Sequence, residues 1–171
     1  MRVLGIDPGT IVTGYGVVEE KGGKLWALDW GAIQTATDPL PFRLKKIYKG
    51  LEEILEKFKP NTVAVESIFY AKNVRSALKL GQARGIALLS AASYDVEVVE
   101  YTPLEVKQAV VGYGRAGKEQ VQEMVAFLLG LNNSLTSTDA SDALALAICH
   151  IHSYKVKHAC GAIKYPPKVS K

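Results

Sequence analysis

Four acidic residues stand where a purely structural chain has little use for them. Asp7 closes a short apolar run and precedes Pro8-Gly9-Thr10, and Glu66 closes a second run, Thr62-Val63-Ala64-Val65. An ionised carboxylate taken out of water costs several kcal/mol unless something compensates it, so a positive group is expected beside Glu66. Thr138-Asp139-Ala140-Ser141-Asp142 opens a third apolar run, with the two aspartates three residues apart and therefore on one side of a helix. Each acid also has an ordinary reading: Asp before Pro-Gly suits a turn, Asp139 a helix start, and Glu66 a solvated strand end. Asp142 resists that treatment, because it heads the apolar stripe Leu146, Cys149. In open α/β sheets, moreover, ligands tend to bind beyond strand ends.

Four converging carboxylates repel one another, each pair about 4 Å apart costing roughly 4 kcal/mol at an effective dielectric near 20. Divalent cations remove that penalty, and an all-oxygen set selects Mg²⁺ or Mn²⁺ over zinc. The chemistry this suits is phosphodiester hydrolysis with two metal ions, one activating water and one stabilising the leaving oxygen.

The elements that must position these acids follow from periodicity. Residues 2–7, 11–20 and 25–34 read as three successive strands, separated by Asp7-Pro8-Gly9-Thr10 and by Lys21-Gly22-Gly23-Lys24. After Asp38-Pro39-Leu40-Pro41, Leu44, Ile47, Tyr48, Leu51, Ile54, Leu55 and Phe58 recur at helical spacing until Pro60-Asn61. Residues 62–67 read as a strand buried on both faces, 73–92 as a helix and 96–101 as a fifth strand. Pro103 opens a helix to about Val111, 112–117 is a loop, and 118–129 is a further helix. The last helix begins near Thr138 and is apolar nearly all round, hence buried. The expected class is α/β, a mixed five-stranded sheet flanked by helices on both faces.

A chain of 171 residues with 48% hydrophobic and 22% charged residues fits one globular domain, which excludes collagen, coiled coil and disorder. The longest apolar run, Ala143 to Cys149, is seven residues, whereas a membrane helix needs about twenty. An acid and a Pro-Gly turn interrupt the N-terminus before a signal-peptide core accumulates, so the cytoplasm is expected. Two cysteines, Cys149 and Cys160, make no disulfide framework. The net charge of +4 points mildly to a polyanionic partner. No acid follows Asp142, and lysines crowd the end beside Pro166-Pro167. The nuclease domain is therefore expected over residues 1–157, with 158–171 a basic, flexible tail.

The stretches Gly5-Ile6-Asp7-Pro8-Gly9-Thr10, Thr13-Gly14-Tyr15-Gly16, Ala64-Val65-Glu66-Ser67-Ile68-Phe69 and Asp139-Ala140-Ser141-Asp142-Ala143-Leu144-Ala145 resemble, in this order, the RuvC family of bacterial Holliday junction resolvases. The resemblance runs from residue 1 to about 155 and leaves only the tail outside. It implies an RNase H-like fold, a homodimer, and paired symmetric nicks across four-way DNA junctions that leave 5′-phosphate and 3′-hydroxyl ends. It further implies dependence on Mg²⁺ and partnership with the RuvA–RuvB branch-migration complex, and the carboxylate set itself suits two such ions per subunit, with Mn²⁺ able to substitute. Asp7, Glu66, Asp139 and Asp142 match the family's four catalytic, metal-binding acids. Phe69 matches an aromatic placed near the junction's bases, and Lys107 and Lys118 match basic positions near the scissile phosphate.

The charge pattern agrees with a DNA partner. No acid occurs from Ser67 to Tyr94, while Lys72, Arg75, Lys79 and Arg84 line the same stretch, as a phosphate-facing stripe or as a plainly solvated face. A junction of near two-fold symmetry needs two equivalent incisions, which an isologous dimer supplies. The Gly81–Ala92 stretch is a candidate for that interface, close packing within one subunit being its alternative.

Three decoys are set aside. Gly112-Tyr113-Gly114-Arg115-Ala116-Gly117 spells a dinucleotide fingerprint, but it follows a helix where a strand is required, and Glu119 replaces the hydroxyl of a P-loop. A loop carrying Arg115 and Lys118 toward DNA is the better reading. Cys149, His150, His152, His158 and Cys160 match no familiar zinc spacing. An actin-like kinase or ATPase, suggested by Asp7-Pro8-Gly9-Thr10, needs a second lobe that this length does not supply. Two rivals on the same fold remain for experiment: a non-catalytic nucleic-acid-binding module and a pre-ribosomal RNA nuclease.

Overall fold

The structure, a computed structural model, describes residues 1–35, 37–67, 74–131 and 137–159. Five strands form one sheet in the order β3-β2-β1-β4-β5. They are β1 (Arg2–Asp7), β2 (Val12–Lys21), β3 (Lys24–Gln34), β4 (Thr62–Glu66) and β5 (Glu97–Tyr101). β1–β2 and β2–β3 pair antiparallel, while β1–β4 and β4–β5 pair parallel, which makes the sheet mixed as expected. Gly22 and Gly23 both have positive φ, 61° and 81°, the turn geometry that a tight two-residue hairpin demands.

Two antiparallel pairings need only tight connections, whereas each parallel pairing needs a crossover. Helix α1 (Leu40–Phe58) and helix α2 (Val74–Ser93) supply these on one face, where Ile47, Leu51, Ile54 and Leu55 of α1 and Ala83, Ala87 and Ala91 of α2 pack on Leu4, Ile6, Val17, Val63 and Val65. Helices α3 (Pro103–Val111), α4 (Lys118–Leu129) and α5 (Thr138–Ala159) cover the other face over Val3, Val18, Ala64 and Tyr101. Strand period two sorts the residues: Val3, Gly5 and Asp7 face the α5 side, and Leu4 and Ile6 the α1 side. β4 is buried on both faces, as its composition predicts.

Helix boundaries follow the punctuation. α1 starts beyond Pro39 with a further proline in its first turn, and stops at Lys59 in a left-handed conformation. α3 starts in a capping box, the Thr102 side chain accepting from the Glu105 N–H and the Glu105 carboxylate from the Thr102 N–H. α5 is buried without interruption from Ala143 to Ile151, and it continues to Ala159. Residues 160–171 lie outside the described residues. Among the described residues no helix is long and apolar enough to cross a membrane.

Candidate active site

Asp7 and Glu66 are the last residues of β1 and β4, adjacent parallel strands, and strand alternation turns both toward α5. What brings α5 to them is glycine. Gly5 pairs with Gly16, and Asp7 with Gly14, across the β1–β2 ladder. A Cβ at Gly5 would lie 1.9 Å from the Ala143 carbonyl oxygen, and one at Gly14 2.2 Å from that of Asp139. The helix backbone therefore rests directly on the strand backbones, an approach that any side chain would block. Asp139, in the first turn of α5, is held against β2, and Asp142 lies one turn further on.

Asp7, Glu66 and Asp142 line one cavity of about 260 Å³. Lys107 of α3 and Lys118 of α4 line it too, and Val106, Val121 and Leu146 form an apolar wall. Lys118 Nζ donates to Asp142 Oδ2 at 2.8 Å on α5, and its charge also favours the ionised forms of Asp7 and Glu66 at the strand ends.

The electrostatics are those of crowded anions. Burial, and then the charges of Glu66, Asp142 and Asp139, push the Asp7 carboxyl up to about 7, against the pull of Lys118. Glu66 is also raised, first by burial and then by Asp142. The hydrogen bond to Asp142 raises the Lys118 ammonium in turn. As they stand, no three His, Cys, Asp or Glu side chains among the described residues are grouped tightly enough to hold an ion. The donor set nevertheless fits a divalent cation: its ligand atoms are hard carboxylate oxygens, and burial, reinforced by their mutual repulsion, makes Asp7 hold its proton near neutrality, a place that doubly positive charge fills better.

The other expected residues divide. Lys107 and Lys118 reach the cavity. Arg115 is exposed in the loop between α3 and α4, and Lys79 is exposed on α2. Phe69 and Lys72 lie outside the described residues, as does the side chain of Arg75. Arg84 departs from the phosphate-facing stripe, because its guanidinium pairs with Glu100 of β5. The 112–117 loop follows α3 instead of a strand, and Gln120 Oε1 accepts both the Gly117 N–H and the Tyr113 hydroxyl, so the loop is no phosphate cradle. His150 Nδ1 meets the Tyr101 hydroxyl at 2.9 Å, tying α5 to β5, and His152 Nδ1 donates to the Ala109 carbonyl, tying α5 to α3.

Two features escaped the sequence reading. The glycine seam was on the page as Gly5, Gly14 and Gly16, and glycine inside a strand is the signal for close backbone approach. Tyr101, the residue paired with Glu66, accepts the Ser67 N–H on its carbonyl while its phenol reaches α5. Burial first, and the nearby Cys149 second, push that phenol up to about 12. One residue thus ties the strand of Glu66, through its main chain, to the helix of Asp142, through its side chain.

Comparison with known proteins agrees. Residues 3–150 match the family model for "Crossover junction endodeoxyribonuclease RuvC". A relative of that name from Syntrophotalea carbinolica is 58% identical over 155 residues, covering 90% of this chain and 96% of its own length. Another, from Trichlorobacter lovleyi, is 54% identical over 162 residues, covering 94% and 90%. The solved structure of T. thermophilus RuvC in complex with Holliday junction substrate superposes with a TM-score of 0.88 at 37% identity, over 96% of this chain and 98% of that one. Proteins of this family are metal-dependent nucleases. Likeness that extends through almost all of the chain, in sequence and in fold alike, makes it a member of the RuvC family of crossover junction endodeoxyribonucleases, which resolve Holliday junctions.

Proposed function

We propose that the chain binds a four-way DNA junction as a homodimer and nicks it symmetrically, one incision per subunit, leaving 5′-phosphate and 3′-hydroxyl ends. Asp7, Glu66, Asp139 and Asp142 are the catalytic acids and hold two Mg²⁺ ions, with Mn²⁺ able to substitute. When bound, these ions supply the activation of water and the stabilisation of the leaving 3′ oxygen. The observation that carries the reading is that Asp7, Glu66 and Asp142 share one cavity with two lysines at the carboxyl ends of parallel strands.

Around the acids, Lys107 and Lys118 take the phosphates flanking the scissile bond, and Arg115 and Lys79 the backbone beyond. Lys72, Arg75 and Phe69, carried over from the resemblance and the charge pattern, contact backbone and bases of the same junction. The dimer uses α2, where Cβ atoms at Gly81 and Gly85 would meet nothing within 4 Å and Leu78 and Leu89 are exposed, a face left open by packing within the subunit. Residues 1–157 form the nuclease domain and 158–171 a basic tail. The protein works in the cytoplasm beside the RuvA–RuvB complex.

The test offers labelled four-way junction, plain duplex and RNA–DNA hybrid to the protein, with and without Mg²⁺. Symmetric, metal-dependent nicks in the junction alone support the reading. Binding without cleavage points to a non-catalytic module of the same fold, and cleavage of the RNA–DNA hybrid in place of the junction points to an RNA nuclease of that fold.

A further inference from the structure

The first half of α1 breaks a local rule. Its first turn has no acid, and Arg43, Lys45, Lys46 and Lys49 follow with no acid before Glu52. The N-terminus of a helix favours negative charge, and Lys45 and Lys49 stand at the i, i+4 spacing where like charges work against a helix. Sequences that break such rules without a structural return do so most often at functional surfaces.

The structure offers no internal return. Lys45, Lys46 and Lys49 make no salt bridge among the described residues. With Gln34, Glu53 and the 62% exposed Phe42 they line an open groove of about 520 Å³ between α1 and β3. Its position matters most. Val12 pairs with Gln34 and Gly14 with Asp7, so the end of β3 lies at the same end of the sheet as the catalytic acids. Two strand spacings, about 10 Å, separate β3 from β1, roughly the rise of three base pairs.

We propose that this groove is a second DNA-backbone site, which takes phosphates of a junction arm leaving the active site over the β3 edge. The inference rests on the junction-cleaving reading above and extends it. Lys107 and Lys118 line the acids' cavity on the α5 face of the sheet, and Lys45, Lys46 and Lys49 stand beside the end of β3 on the α1 face, so an arm that leaves the cavity over the β3 edge meets a second cationic surface. The chemistry recognised is the phosphodiester backbone, which lysines bind without regard to sequence. Phe42 adds an exposed ring against which a sugar or a frayed base can pack.

The experiment measures junction affinity, in Ca²⁺ to prevent cutting, as a function of salt. One triple variant carries Lys45→Gln, Lys46→Gln and Lys49→Gln. A control triple, Lys21→Gln, Lys24→Gln and Lys59→Gln, removes equal charge from the opposite end of the sheet. Because each neutralised phosphate contributes about 0.9 to the slope of log K against log salt, the α1 triple is expected to lower the slope by about 2 to 3 and affinity on the order of tenfold. The control changes the slope by less than one, and lysine-to-arginine replacements in α1 keep the parent slope. Ethylation interference adds a local readout: the α1 triple loses contacts a few nucleotides outside the incision and keeps those around it. Equal changes in the two triples, or an unchanged slope in the α1 triple, overturn the inference and leave junction cleavage standing. Failure of the unaltered protein to retain the junction overturns the functional reading and the inference with it. Loss of affinity for an acidic protein with no change toward DNA likewise overturns the inference, since it assigns the groove to another class of partner.

Discussion

Lys118 Nζ lies 2.8 Å from Asp142 Oδ2, and both side chains line the cavity that holds Asp7 and Glu66. The ammonium is the nearest counter-charge to a carboxylate cluster that otherwise repels itself. Lys118→Ala is expected to raise the proton affinity of Asp7 further, since Lys118 is the one group that lowers it. The pH profile of cleavage then shifts toward alkaline values, with kcat/KM for the junction reduced on the order of tenfold or more. A variant that loses rate with an unmoved pH profile assigns Lys118 to DNA contact alone.

Asp7→Asn removes one buried anion and leaves every basic side chain in place. Cleavage is expected to fall by about a thousandfold or more, and junction affinity to stay within about threefold, because binding of this kind rests on Lys and Arg contacts. Gel shift in Ca²⁺ and single-turnover cleavage in Mg²⁺ separate the two quantities. Normal cutting by Asp7→Asn removes the site assignment.

The same carboxyl governs stability without metal. Its folded-state value is about 7 against an ordinary 3.8, so the native state binds this proton more tightly than the unfolded chain does. Stability is therefore highest below about pH 4 for this group and is lost as the pH rises toward 7, with a ceiling of about 4 kcal/mol for a shift of three units. In EDTA at pH 8, Asp7→Asn is expected to be more stable than the parent by about 1 to 4 kcal/mol, the gap narrowing at pH 5 and on addition of Mg²⁺. Urea unfolding at the two pH values measures it, and a parent protein that gains stability between pH 5 and 8 contradicts the crowded-anion account.

Gly5→Ala places a methyl carbon 1.9 Å from the Ala143 carbonyl oxygen, closer than any real contact. The helix must retreat, at a cost of about 1 to 3 kcal/mol. Cleavage should fall further than this stability loss accounts for at a temperature where the variant is folded, because α5 carries two of the acids. Denaturation and cleavage measured side by side check the pairing.

Tyr101→Phe leaves His150 facing a ring without its hydroxyl, and is expected to destabilise by about 1 to 3 kcal/mol. A shift in denaturant midpoint with an unchanged slope confirms a local loss.

The acids were legible because an acid that ends an apolar run conflicts with its surroundings, and conflict shows in one dimension. Asp142 was the clearest case, heading a buried stripe on α5. The order of strands and helices was legible for a similar reason: Pro39, Pro60 and Gly112 punctuate segments whose periods are unmistakable. The seam between Gly5 and Ala143 was not, since glycine announces that something comes close without naming what. Arg84 misled, because nothing in the run from Lys72 to Arg84 indicates that Glu100, on the neighbouring strand, is waiting for it. Pairing across elements is decided by topology, and charge counting along the chain is blind to it.

The direct seating of α5 on β1 and β2 means that the spacing of the acids is fixed by main-chain geometry, with no cushion of side chains to absorb a misfit. Drift elsewhere in the core can be repacked around, but a change along this seam moves scaffold and reaction centre as one body. Variants that fold well and cut poorly should thus come from the carboxylates and lysines themselves, whereas the seam yields proteins impaired in both respects.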